Sequence, residues 1–350
     1  MPDNLGRLDS LPRTELAHVP TPVEHMKNLS IHCGAGDLYV KRDDCTGVAF
    51  GGNKVRQLEF YLGEAVAQGV DTVLITGAVQ SNFVRLAAAA ACKLSMACHI
   101  QLEDRVPGVD PVYRSSGNVL LDRMLGARIH FYDKGEDEAG ADRRIREIAD
   151  ELVRQGKHPY VIPLAPGHAP LGALGYVVCA RELLAQCSSA NLEFDEVVVA
   201  SGSGHTHAGL LFGLRALGST AGVTGVCVRR DAVAQRERIR NHCMEIAGLL
   251  GIESPVSDAD IVLTDAFLAP GYGKTNPPTL EAMCLAARME GLIVDPTYTA
   301  KSLAGFIHLA RAAGATSDGR MLFLHTGGQP AIFGSEPGLT EYFKNVEPLA

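Results

Sequence analysis

The stretch Lys41-Arg42-Asp43-Asp44-Cys45-Thr46-Gly47, continued by Phe50-Gly51-Gly52-Asn53-Lys54-Val55-Arg56, decides how this chain is read. A short strand, Leu38 to Val40, runs into acidic turn residues. A flexible glycine pair then leads into a helix whose first turn carries Lys54. Val55, Leu58, Leu62, Ala65 and Val66 recur at helical spacing, and Asn53 suits the N-cap. A lysine just inside a helix N-terminus sits at the positive end of the dipole, which disfavours its charged form. Only the neutral amine attacks a carbonyl carbon, so such a lysine suits carbonyl chemistry. On these residues alone a solvated surface lysine is the simpler account. The rest of the chain shifts the balance.

At 350 residues, 46% of them apolar, the sequence has the material for two domains or one large α/β domain with an inserted lobe. Its net charge of 32 − 40 = −8 gives no basic surface for nucleic acid or anionic lipid. The first residues, MPDNLGRLDSLPRTEL, lack the apolar core of a signal peptide, and no stretch approaches the ~18 apolar residues of a membrane span. Nine scattered cysteines without a C-x-x-C pair argue for reduced thiols, a cytoplasmic protein and no zinc site.

Taken in order, Pro12 to Pro22 is a proline-punctuated lead-in. After the lysine helix, strands at Asp71–Thr76, Cys98–Leu102, Arg128–Tyr132 and Tyr160–Ile162 alternate with helices beginning at Ser81, near 117 and near 136. This spacing predicts a parallel sheet with right-handed crossovers. Leu164 to Pro170 reads as a hinge. Helix Leu171–Ala185, strand Glu196–Ala200, strand Gly222–Val228, helices 230–250 and 278–290, a helix from about 300 and strand Met321–His325 complete a second α/β series. The expected fold is a two-lobed α/β protein, parallel twisted sheets flanked by helices. Residues 1–57 and 164–350 would form the larger domain and 58–163 a smaller insert. The cleft between the lobes is the default ligand site.

The turn Ser201-Gly202-Ser203-Gly204-His205-Thr206-His207-Ala208-Gly209 follows an apolar strand and opens a helix, a place where backbone N–H groups converge on an anion. Its G-x-G-x-x-x-x-G spacing is not a dinucleotide fingerprint, it has no P-loop lysine, and Ser203 does not stand in a nucleophile elbow. A single phosphate fits better, and a plain tight turn fits equally well. His205 and His207 diverge at i and i+2 and have no third ligand nearby, so no metal is expected. Ser81-Asn82 caps a helix or offers a hydroxyl and an amide to a bound anion. Tyr272 and Tyr298 lie in glycine- or proline-flanked loops.

KRDDCTG, GGNK-x-R-x-LEF, the QSN helix start, LGALGY at 171–176, ASGSG-x-THAG at 200–209, APGYG at 269–273, DPTYT-x-K at 295–301 and HTGG at 325–328 occur together and in this order. In these motifs, spanning roughly residues 35 to 345, the sequence resembles the pyridoxal-phosphate enzymes of the D-cysteine desulfhydrase and 1-aminocyclopropane-1-carboxylate deaminase family. That family has the tryptophan-synthase-β-like fold (fold type II). The resemblance implies that Lys54 carries the cofactor, Asn82 holds its ring hydroxyl, and Gly202, Ser203, Gly204, His205 and Thr206 hold its phosphate. It further implies that Ser81 grips the substrate carboxylate, that Tyr298 lies beside the reacting carbons with Tyr272 supporting it, and that Thr299 faces the pyridine nitrogen. A homodimer is the family's habit.

Two departures bear on the substrate. Thr299 stands where the cyclopropane deaminases carry glutamate, and a hydroxyl leaves the ring nitrogen nearer neutral, enough for β-elimination but weaker support for ring opening. Phe83 stands where relatives usually place histidine or glutamine. Its ring either leans toward the bound amino acid or packs on Val79 and Leu86. The expected activity is α,β-elimination on a small amino acid, D-cysteine giving pyruvate, ammonia and sulfide. Alternatives are a deaminase or sulfo-lyase acting on aminocyclopropane carboxylate or cysteate, a racemase, and a phosphate- or cofactor-binding protein without turnover.

Overall fold

Parallel pairing dominates two separate sheets in a computed structural model that describes residues 5–135, 137–164, 168–314 and 319–347. The strands in chain order are β1 (Val23–His25), β2 (Leu38–Lys41), β3 (Thr72–Ala78), β4 (Ala97–Glu103), β5 (Arg128–Tyr132), β6 (Pro159–Val161), β7 (Glu196–Ser201), β8 (Gly222–Cys227), β9 (Val262–Thr264) and β10 (Met321–Leu324). The larger sheet runs β1-β2-β10-β7-β8-β9 and the smaller β5-β4-β3-β6. All pairs are parallel except β1 on β2, an antiparallel edge that the periodicity does not announce because β1 is three residues long.

One compact unit takes His18–Thr46 and Ala169–Gly327, with the N-terminal residues up to Leu11, and is built on the six-stranded sheet. Its central strands are apolar on both faces: Val197, Val198, Val199, Leu322 and Phe323 are buried, as expected of parallel strands covered by helices. The KRDD motif proves to be part of this framework. Lys41 Nζ is 2.7 Å from Glu182 and 2.8 Å from Gln186; Asp43 accepts from Thr21 at 2.8 Å and from the Tyr176 hydroxyl at 2.6 Å. Arg42 clasps Asp44 through two nitrogens, at 2.9 and 2.8 Å. Buried charges of this kind survive only when paired. The helix Leu174–Ala190, extended five residues beyond the expected end at Ala185, packs on the helix His205–Ala216.

The other unit takes Pro12–Ala17, Gly47–His168 and the C-terminal stretch from Gly328, around the four-stranded sheet. The helix carrying Lys54 therefore packs with the smaller sheet, as do helices Ala331–Gly334 and Glu336–Lys344, whereas the sequence reading assigned residues 1–57 and the whole C-terminus to the larger domain. Glu59 explains how the proline lead-in is held: its buried carboxylate pairs with Arg13 and accepts the Leu16 and Ala17 N–H groups at 3.0 and 2.8 Å. Ala87 to Ala91 are all buried, so the helix Asn82–Lys93 can lie close to its neighbours. Ile145, Ile148 and Leu152 pack on Leu74 from the helix Glu138–Arg154.

Asn53 is not the N-cap. Gly52, at φ +125°, takes that position and Asn53 is the first helical residue. Glycine suits a turn that no L side chain adopts easily. Of the expected hinge, residues 165–167 lie outside the described residues. Among the described residues no helix is long and apolar enough to cross a membrane.

A β-carbon on Gly209 would lie 2.1 Å from the Ala173 carbonyl oxygen. Gly209→Ala is expected to destabilise the protein by ~1–3 kcal/mol, read as a lower denaturant midpoint at unchanged slope. An unchanged midpoint would show that the two helices can separate freely.

Candidate active site

Lys54 is the second residue of the helix Asn53–Ala67, and the Gly51-Gly52 turn delivers it there. Its amine donates to Gln57 Oε1 at 3.1 Å, one turn along the same helix, and lies 4.7 Å over the centre of the Phe83 ring. Neither partner carries charge. Desolvation accordingly pushes the amine down to about 7. The ring face attracts a cation and works the other way, but loss of water is the larger effect. The other lysines of the quoted motifs are committed elsewhere: Lys41 to Glu182, and Lys301 to the carbonyls of Leu268 and Gly271, both at 2.8 Å.

Ser81 caps the helix Asn82–Lys93, its hydroxyl accepting the Val84 N–H at 3.3 Å. Asn82 is half-buried in the first turn, with Oδ1 accepting from Asn118 Nδ2 at 2.9 Å. Phe83 is 5% exposed, 6.3 Å from the Tyr61 ring, and its face carries the Lys54 amine. It is therefore buried as a core residue would be while still touching the functional lysine, a contact neither sequence reading of Phe83 contained.

In the turn Gly202–Thr206 the carbonyls of Gly202 and Ser203 are tied by side chains. The Gly202 carbonyl accepts from Arg230 at 3.3 Å; that of Ser203 accepts from Arg238 at 2.8 Å and faces His242 Nε2 at 3.1 Å. The helix His205–Ala216 begins at this turn, so its N-terminal dipole suits an anion there, with two guanidinium groups nearby. Gly204 caps that helix at φ +97°, and a β-carbon there would meet His242 at 2.9 Å, so backbone shape as well as anion access demands glycine. His205 and Thr206 are buried; the His205 ring packs edge-on to His242. His207 instead faces Ser201 Oγ at 3.1 Å, and burial pushes its imidazole down to about 4, so it is neutral.

Tyr272 and Tyr298 meet hydroxyl to hydroxyl, rings edge-on at 5.8 Å. Lys301 holds the Tyr272 loop through the Gly271 carbonyl. Thr299 is fully buried. Its hydroxyl donates to Asp295 Oδ1 at 2.7 Å and accepts the Asp295 N–H at 2.7 Å. Burial raises the Asp295 carboxyl, while the N–H groups of Thr297, Tyr298 and Thr299 stabilise its charge. Asp295, Arg230, Arg238, His242 and Asn118 were not singled out from sequence; only Asp295 stood inside a quoted motif.

The sequence from residue 14 to residue 327 matches the family described as pyridoxal-phosphate dependent enzyme. The chain belongs to that family. Its cofactor is pyridoxal phosphate. A D-cysteine desulfhydrase of Yersinia enterocolitica is 42% identical over 331 residues, 95% of this chain and 98% of the relative. One of Salmonella choleraesuis is 41% identical over 333 residues, 95% and 99% of the two chains. A crystal structure of an ACC deaminase homologue superposes with a TM-score of 0.86 at 37% identity, over 97% of this chain and 99% of that one. O-ureido-L-serine synthase, at 16% identity and a TM-score of 0.65 over 99% and 96%, shares the fold. The residues fit the cofactor of the family: a lysine amine whose contacts among the described residues are a neutral amide and a ring face suits an aldehyde, and a glycine turn opening a helix suits a phosphate.

Because Lys54 must be neutral to attack, the rate at which cofactor-free protein captures pyridoxal phosphate is expected to rise from pH 6 to pH 8 and level off, with a midpoint near the amine's value of about 7. Stopped-flow absorbance reads the rate. Borohydride reduction and peptide mapping should label Lys54, and Lys54→Ala should lose the reducible colour. A label on Lys41 or Lys301 would sink the assignment.

Proposed function

We propose that this enzyme is a lyase catalysing α,β-elimination on a small β-substituted amino acid, with D-cysteine and water giving pyruvate, ammonia and sulfide. The observation that carries the reading is the desolvated amine of Lys54, held by a neutral amide and an aromatic face. The curated desulfhydrases aligned over nearly the full chain supply the substrate class.

When bound, the cofactor supplies an aldehyde for the substrate amine and a sink for the electron pair left at Cα. Lys54 would hold that aldehyde carbon until the substrate amine displaces it. Its free Nζ, neutral near pH 7, would then take the α-proton. Gln57 Oε1 accepts from Nζ and orients it. Ser81 and the helix start beside it would bind the substrate carboxylate, Asn82 the ring oxygen, and Gly202–Thr206 the phosphate. Tyr298, braced by Tyr272, would place a hydroxyl beside the reacting carbons and give the departing sulfur a proton. Thr299 would face the ring nitrogen with a hydroxyl, not a carboxylate, which favours elimination over cyclopropane opening.

The free state of the cysteines among the described residues supports a cytoplasmic enzyme. Leu120 and Met124, exposed at helical i,i+4 spacing, support a homodimer, which a monomeric mass by light scattering would set aside. A deaminase acting on aminocyclopropane carboxylate is the second reading, favoured by the ACC deaminase homologue's fold.

A screen of D- and L-cysteine, chloroalanine, serine, cysteate and aminocyclopropane carboxylate is expected to show pyruvate and sulfide fastest from D-cysteine. Efficient release of 2-oxobutyrate from aminocyclopropane carboxylate would place the enzyme on the deaminase side.

Phe83 supplies an apolar wall beside the lysine, where sulfur contacts an aromatic ring at a gain of ~0.3–1.5 kcal/mol and a hydroxyl without a partner costs ~1–3 kcal/mol. Cysteine is therefore expected to exceed serine in kcat/KM by about tenfold or more, and Phe83→His to narrow that ratio. An unmoved ratio would remove Phe83 from specificity.

A further inference from the structure

Asn118 stands outside every quoted motif, yet it is fully buried at the start of the helix Asn118–Met124 and touches the first turn of the helix that bears Ser81 and Asn82. Its contacts form a chain whose direction is set by backbone carbonyls, which only accept. Gln80 Nε2 donates to the carbonyls of Tyr113 at 2.6 Å and Ser116 at 2.9 Å, so its Oε1 faces the other way and accepts the Asn118 N–H at 2.9 Å. Asn118 Nδ2 donates to the Gln80 carbonyl at 3.0 Å; the opposite amide orientation would set two acceptors against each other there. With the nitrogen fixed, its second proton goes to Asn82 Oδ1 at 2.9 Å. That bond fixes which end of the Asn82 amide is the oxygen and leaves its NH2 group to donate to a ligand. The packing leaves no slack: a β-carbon on Gly117 would lie 2.6 Å from Gln80 Oε1, and one on Gly334 would lie 2.6 Å from Gln80 Cδ.

We infer that Asn118 is a positioning residue that fixes the orientation of the Asn82 amide so that its NH2 group donates to the ligand, and that Asn82 therefore favours the ionised ring oxygen of pyridoxal phosphate over its phenol form. The inference rests on the proposed placement of Asn82 at that oxygen. A freely turning amide would serve either form. A locked one always donates, and its bond is charge-assisted and stronger to the ionised oxygen, whereas the phenol accepts only a neutral bond and must turn its proton elsewhere. Asn118 acts wholly through Asn82.

The test is a double-mutant cycle on pyridoxal phosphate binding, comparing wild type, Asn118→Ala, Asn82→Ala and the double variant. Absorbance titration of the cofactor-free proteins gives Kd, and the loaded proteins give the pH at which the band of the ionised ring oxygen appears. Asn118→Ala is expected to weaken binding roughly fivefold to tenfold and move that pH upward, and to add nothing once Asn82 is alanine. Equal effects of Asn118→Ala in both backgrounds, or none in either, would overturn the inference while leaving the Asn82 reading intact. If Asn82→Ala itself changes neither Kd nor band, the proposed placement of Asn82 fails and the inference with it. Asn118→Leu, which keeps the side-chain volume, repeats the cycle should the alanine variant not fold, and thermal melting of every variant separates general loosening from the coupled loss.

Discussion

A charged group taken out of water must find an opposite charge or hydrogen bonds to its charged form, or give up its charge, and this constraint orders the buried polar residues of the protein. Lys41 answers it with Glu182, Asp43 with Thr21 and Tyr176, Glu59 with Arg13 and two backbone N–H groups. Lys301 answers it with two carbonyls, and burial still lowers its amine to about 8. Lys54 is treated differently. Its polar contact is a neutral amide, its other neighbour a ring face, and its amine falls to about 7. A carboxylate in place of Gln57 would have held the lysine charged and closed it to carbonyl chemistry. Framework and reactivity thus follow one rule with opposite choices of neighbour.

Direction matters as much as charge. A hydrogen bond to a backbone carbonyl fixes which end of a side chain donates, because the carbonyl has no proton to give. Arg230 and Arg238 use this at Gly202 and Ser203, fixing the orientation of both carbonyls, with His242 beside the second. Helix termini contribute the complementary N–H groups without any side chain. The glycine turn in one unit, and the helix start and amide in the other, are each polarised by residues behind them.

The alternation of strand and helix made both sheets legible, because period-two and period-3.6 patterns follow from burial on a defined face. The short edge strands β1 and β9 and the C-terminal helices escaped, since three residues carry no period and the helices reveal themselves only by what they pack on. Lys54 and the turn 201–209 stood out because each occupies a local frame, glycines before a helix and small residues after a strand, whereas the pairing of Tyr272 with Tyr298 came from the resemblance alone. Asn118 and Arg238 were not legible. Asn118 reaches Asn82 across 36 positions and Arg238 reaches Ser203 across 35, separations at which no spacing rule operates. Asn53 was misread for a local reason: the residue type favours a cap, but the backbone turn already spent on Gly52 moved the helix start by one.

Asp295 joins these threads. Its carboxylate sits one helical turn before Thr299 and receives three N–H groups and the Thr299 hydroxyl proton. Burial raises this fully enclosed carboxyl, and the four donors work against that rise. The same contacts decide what Thr299 can do. Its proton lies toward Asp295 Oδ1 at 2.7 Å, with the Gly327 carbonyl at 3.4 Å, and one lone pair takes the Asp295 N–H. The negative charge that a glutamate at position 299 would place directly at that point is instead held one turn back and absorbed by the backbone. The difference between a threonine and a glutamate at this position is therefore one of where the charge stands, not of whether a carboxylate is present in the loop.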